Sequence, residues 1–120
     1  MIFSSEKPIY VQISERLCDE ILSGVYKEDD RIPSVRDYSV LLGVNNNTVM
    51  KAYEELSGSE IIYNKRGMGY FAAKGSAKQI LKKRKHVFLN EQLPQMFRSM
   101  KQLNIDLNEV QTAWNEFKEL

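Results

Sequence analysis

This sequence predicts a mostly α-helical fold with one small β-hairpin, and three observations predict it. Apolar residues recur at helical spacing through most of the 120 residues. Two of the helical runs meet at a glycine within residues 33–56. Two short strand-like runs, residues 61–63 and 70–72, are separated by a turn that holds two glycines and two cations.

The first helix opens at Pro8 and repeats Ile13, Leu17 and Ile21 every four residues, with Gly24 placed as its stop. An extended segment ends at Pro33, which biases Ile32 away from helix. Ser34 is then a good N-cap for the second helix, with Asp37 three positions on. Val35, Tyr38, Leu41 and Leu42 supply that helix's apolar spacing, and Gly43 supplies a left-handed end. Asn45 caps the third helix, whose Val49, Ala52, Tyr53 and Leu56 pack inward. Asn46, Asn47, Met50, Lys51, Glu54 and Glu55 then face outward, with Thr48 in the first turn.

That division is what a helix-turn-helix needs. Apolar residues lock the pair, and short polar ones at the second helix's N-terminus meet base edges and phosphates. The hairpin that follows, with Lys65, Arg66 and Gly67 in its turn, reads as a wing. Its charged tip suits phosphate or minor-groove contact. The expected architecture is a winged helix-turn-helix over residues 1–74, followed by a helical extension over 75–120.

The extension turns helical after Gly75-Ser76, a plausible hinge. Ile80, Leu81, Val87, Phe88 and Leu89 lead into Leu93, Met96, Phe97, Met100 and Leu103, and Pro94 should kink or split that run. Asn104 takes the stop position. Asp106 with Glu109 forms a capping box that launches a last helix bearing Leu107, Val110, Trp114 and Phe117. So small a piece makes a poor core of its own. The stripe formed by Leu93, Met96, Phe97, Met100, Leu103, Val110, Trp114 and Phe117 is therefore expected to be a dimerisation surface that packs on a second copy.

Composition adds less. The net charge is only +1, so no strongly basic footprint advertises nucleic acid. Residues 1–74 hold 9 Lys or Arg and 11 Asp or Glu (9 − 11 = −2), and residues 75–120 hold 8 and 5 (8 − 5 = +3). The acids of the first part gather in Glu15, Asp19, Glu20, Glu28, Asp29 and Asp30, away from the expected DNA face, while Arg36, Lys51, Lys65 and Arg66 lie on or near it. The single Cys18 excludes an intramolecular disulfide and is read as packing. With no signal peptide or membrane span, a cytoplasmic protein is expected. His86 has no second ligand at metal spacing, and no nucleophile–base pair or phosphate loop suggests an enzyme. No cofactor or metal is expected, and nothing names a small-molecule effector. The run Lys82-Lys83-Arg84-Lys85 is read as a solvated helical face, with phosphate contact as the alternative.

Residues 8–73 resemble the winged-helix N-terminal domain of the GntR family of bacterial transcription regulators. The carriers are Pro8-Ile9-Tyr10-Val11-Gln12-Ile13, Ile21-Leu22-Ser23-Gly24 and Arg31-Ile32-Pro33-Ser34-Val35-Arg36. Leu42-Gly43-Val44-Asn45, Asn47-Thr48-Val49 and Arg66-Gly67-Met68-Gly69-Tyr70-Phe71 complete the set. The short tail resembles the small YtrA-type subfamily, where such a tail dimerises. The resemblance implies a homodimeric repressor on a palindromic, double-stranded operator. Its DNA contacts would be Ser34, Arg36, Asn45, Asn46, Asn47, Thr48, Lys51, Lys65, Arg66 and Gly67. Three positions depart from the family pattern. Asn46 and Met50 stand where it usually has Arg, which suggests an A/T-leaning operator because Asn pairs best with adenine. Glu60 stands where it has Gly, so the third helix's exit is expected to shift by about two residues. The Asn46 and Met50 departures, with the acidic first half, leave a winged helix that binds protein instead of DNA as the alternative.

Overall fold

The computed structural model describes residues 3–120. Helix α1 (Ile9–Leu22) leads through a loop to α2 (Val35–Leu42) and α3 (Asn46–Gly58). The antiparallel strands β1 (Ile62–Lys65) and β2 (Gly69–Ala72) follow, in register Ile62↔Ala72 to Lys65↔Gly69. Helix α4 (Ser76–Val87) runs into a π-helical turn at Phe88–Gln92, then α5 (Leu93–Leu103) and α6 (Leu107–Phe117). The mostly helical fold with a hairpin wing is thus as the sequence predicts.

One core holds the head together. Ile13, Leu17, Cys18 and Ile21 of α1 meet Tyr38 and Leu42 of α2 and Val49, Ala52, Tyr53 and Leu56 of α3, with Ile61, Ile62 and Ala72 closing the hairpin side. Tyr38 and Tyr53 are fully buried with their hydroxyls satisfied, as buried polar groups require. Tyr38 donates to Glu20, and Tyr53 donates to the carbonyl of Pro33 at 2.7 Å. Burial pushes both phenols well above their usual range.

The clustered acids serve as acceptors that tie loops down. Asp30 accepts from the Lys27 amide, Asp29 from the Tyr63 hydroxyl and Glu28 from the Gly75 amide, at 2.8, 3.0 and 2.7 Å. The segment before α2 also joins the wing. Arg31 bridges Phe71, Ile32 N–H donates to Tyr70 O, and Ala72 N–H donates to Asp30 O. This third edge of the hairpin is not apparent from sequence, which marks the segment only as extended.

Four further differences from expectation have local causes. Leu41 is 64% exposed, and the inward position on α2 belongs to Ser39, at 5%. Val35, Ser39 and Leu42 are spaced i, i+4, i+7, so the inner face passes through the small polar residue. The exit of α3 is not displaced: Glu60 itself adopts the left-handed conformation, φ +62°. Ile61 N–H bonds Leu56 O and Glu60 N–H bonds Ser57 O, the pattern that ends α2 at Gly43. Gly75-Ser76 is a fixed joint, because Gly75 is bound by Glu28 and Ser76 is buried. The compact units divide between Lys82 and Lys83, eight residues beyond the expected end of the head at 74 (82 − 74 = 8), because Ile80 completes the head's core.

In the second unit, the expected break at Pro94 takes the form of the π-helical turn just ahead of it. Proline has no N–H for the carbonyl four residues back, and the helix widens there instead of ending. Asn104 stops α5 at φ +55°, and the Asp106–Glu109 capping box starts α6. Among the described residues, no helix is long and apolar enough to cross a membrane, and no group of three or more His, Cys, Asp or Glu is placed to hold a metal ion.

Candidate nucleic-acid interface

The start of α3 is bare. Asn45, Asn46 and Asn47 are exposed and Thr48 is half-buried, while Val49 one position on is fully buried. Capping produces this arrangement: Asn45 Oδ1 accepts from Asn47 N–H at 2.8 Å, which starts the helix with its free amide end facing solvent. Ser34 does the same for α2, accepting from Asp37 N–H at 3.0 Å, so its oxygen is already engaged.

Arg36, Asn45 and Asn46 come together around one open depression of about 350 Å³, with Val40, Gly43 and Val44 completing its wall and Ser39 at its base. Arg36 is exposed, and among the described residues its guanidinium has no hydrogen-bond or ion-pair partner. A cation beside helix-terminal amides is suited to a phosphate or a guanine edge. Lys51 is exposed one turn along α3, with its ammonium 4.1 Å from the centre of the Tyr10 ring. That contact aims the lysine without neutralising it.

At the wing, residues 66–68 join the strands, with Gly67 at φ +77° and Met68 N–H returning to Lys65 O at 2.8 Å. Lys65, Arg66 and Gly67 are all exposed. Tyr63 and Phe71 stack with centres 5.5 Å apart, and Lys65 reaches over the Phe71 ring. Gly69 has φ +106°, and a Cβ there would meet the Arg31 guanidinium at 3.3 Å. Arg31 therefore lies against the wing's backbone, a basic residue beside the wing that is absent from the contacts the sequence implies. Ser39 is likewise absent from the sequence-based site, because in an eight-residue helix spacing alone does not separate it from Leu41.

A bare capped helix start beside an unpaired arginine, followed by a cationic hairpin, is the geometry of a DNA reader. The sequence profile of "Bacterial regulatory proteins, gntR family" matches residues 9–71, more than half of the chain. The chain belongs to the GntR family. This GntR protein is 35% identical over 106 residues to the HTH-type transcriptional repressor YtrA of Bacillus subtilis, covering 88% of this chain and 81% of that one. A crystal structure assigned to the GntR family of regulators, from Bacteroides thetaiotaomicron, superimposes with TM-score 0.84 at 46% identity, covering 93% of this chain and 97% of the other. The DNA-binding domain of AraR in complex with operator ORX1 matches at TM-score 0.56 and 27% identity, covering 60% of this chain and 93% of that one. This GntR protein is a DNA-binding transcriptional regulator and not an enzyme.

Proposed function

We propose that the protein is a homodimeric repressor of an inverted-repeat operator. In this reading each subunit sets α3 in a major groove and its wing along the flanking backbone. Two-fold symmetry then puts half-site centres about one helical turn apart, roughly 34 Å, or a multiple of it. Arg36 contacts a phosphate or base edge, Asn46, Asn47 and Thr48 face the groove, Asn45 adds its amide nitrogen, and Lys51 meets a phosphate. Ser34 supports from its cap, and Lys65, Arg66 and Gly67 contact backbone at the wing.

The observation that carries the DNA half of this reading is the exposed start of α3 beside the unpaired Arg36. The dimer rests on α5 and α6, where Met96, Phe97, Leu103, Trp114 and Phe117 remain at least 40% exposed in the single chain and no residue is buried. Apolar exposure of that kind is removed at least structural expense by a second copy. With a net charge of +1, operator affinity depends on two half-contacts and falls steeply with salt.

Arg36→Ala is expected to weaken operator binding about tenfold or more in gel shifts while sedimentation still reports a dimer. Wild-type binding by that variant would refute the docking. Truncation after Lys82, which keeps Ile80 in the head's core, is expected to give a folded monomer with strongly reduced operator affinity. A dimer surviving that cut would remove the tail from the interface.

A further inference from the structure

Taking the wing to lie along the backbone that flanks the half-site, as proposed above, we infer that Arg31 is a further DNA contact and grips a phosphate beside the wing's root. Arg31 belongs to the segment before α2 and comes to the wing only because that segment joins the hairpin.

The alternation of strand side chains places it there. Residues paired directly across a sheet, and residues two apart along a strand, share a face. Tyr63 pairs with Phe71 and Lys65 with Gly69, so these four positions share one face, while Ile62 and Ala72 are buried on the other. Arg31 bridges Phe71 on the side of β2 away from β1 and joins the same outer face. Its side chain runs on toward the tip, because a Cβ at Gly69 would meet Arg31 Nε at 3.3 Å and Nη2 at 3.4 Å. Lys65 stands opposite Gly69 on β1 and reaches over the Phe71 ring. Two cations thus flank the first residue of β2 from its two sides, just behind Arg66 in the turn.

Arg31 is exposed, and among the described residues its guanidinium has no hydrogen-bond or ion-pair partner. The acids next to it in sequence accept from other donors, Asp29 from the Tyr63 hydroxyl at 3.0 Å and Asp30 from the Lys27 amide at 2.8 Å. The empty side of Gly69 lets the long stem lie along the strand, so less rotamer freedom is lost when the head group binds. A charged fork held in one direction with its donors unused matches phosphate oxygens. A base edge fits less well, since the tip at 66–68 leads into a groove and Arg31 is held beside the strand behind it. Packing on the wing would need the stem of Arg31 but not its charge.

The test uses the full-length protein and a duplex that it selects from a random pool. Arg31→Gln keeps most of the stem and removes the charge. It is expected to weaken binding about threefold to tenfold, and to flatten the slope of log affinity against log salt by about 0.9 per bound subunit, with an unchanged urea midpoint. Single methylphosphonates, neutral where a phosphate is charged, are then placed in turn along the flanking backbone. One position should cost the wild-type protein affinity and cost Arg31→Gln nothing further, whereas the other contacted positions weaken both alike. Arg66→Gln is the reference for the wing as a whole. A slope flattened by Arg66→Gln and left intact by Arg31→Gln would reduce Arg31 to packing and overturn the inference, with the wing's docking left standing. A slope left intact by both variants would overturn the docking and the inference together, as would a pool that yields no enriched site.

Discussion

The head and the tail handle apolar residues in opposite ways. In the head, α1, α2 and α3 enclose a core in which Leu17, Tyr38 and Tyr53 reach 0% exposure. In the tail, α5 and α6 have amphipathic sequences and well-made ends, yet Phe97 stays 46% and Trp114 56% exposed. Good local helix signals are common to both. What differs is the supply of a third and fourth surface, which the head obtains from the hairpin and α4 and the tail does not obtain from its own α5 and α6. A helix can be specified within its own turn, but a core needs enclosure.

The largest expected effect separates the two directly. Leu17→Ala should destabilise the head by about 2–5 kcal/mol in urea unfolding, the usual loss for a buried leucine. Phe97→Ala should leave head unfolding within about 0.5 kcal/mol of wild type. It should instead weaken self-association about tenfold, followed by the emission of the single Trp114 on dilution. A head destabilised equally by both variants would break the comparison.

Alkali gives the next effect. All six tyrosines lie in the head, and burial raises the folded-state values of Tyr38 and Tyr53 above the ordinary value of 10. Raised folded values mean that this contribution is fully present below about pH 10 and is lost as pH climbs beyond it. Ionisation of Tyr38 and Tyr53 should therefore accompany head unfolding above about pH 10, whereas the four partly exposed tyrosines can ionise in the folded head. All six tyrosines ionising without unfolding would contradict the burial of these two.

The smallest effect sharpens the comparison within the head. Gly43 and Glu60 end α2 and α3 with the same pair of backbone bonds, but only one of them is glycine. A side chain in the left-handed region costs about 1–2 kcal/mol. Glu60→Gly, which must also lose some unfolded-chain entropy advantage, should stabilise the head by about 1 kcal/mol and leave the dimer's dissociation constant unchanged. A destabilised Glu60→Gly would mean that the glutamate side chain offsets its own strain.

Much of this was legible in the sequence where the physics is local. Ser34, Asn45 and Asp106 cap the helices assigned to them, and Gly24, Gly43 and Asn104 take positive φ where stops were expected. A cap and its partner lie within four residues, so the letters suffice. Leu41 was misplaced because an eight-residue helix offers too few turns for spacing to distinguish it from Ser39. The hairpin's third edge and the Glu28 bond to Gly75 join residues roughly forty or more apart, which periodicity does not see. The candidate site divides in the same way: the exposed asparagine tip and wing cations were readable, whereas Arg31 against Gly69 and Ser39 under Asn46 were not.

By itself, the sequence determined the order of helices and hairpin, their ends, the family resemblance and the apolar stripe of the tail, because each follows from neighbours along the chain. Only the tertiary structure decided that Ile80 belongs to the head, that Glu60 bears the left-handed turn, and that Ser39 of α2 meets the Asn46 side chain. Those outcomes depend on which distant surfaces meet, and burial turns each meeting into an energetic preference that no local pattern contains.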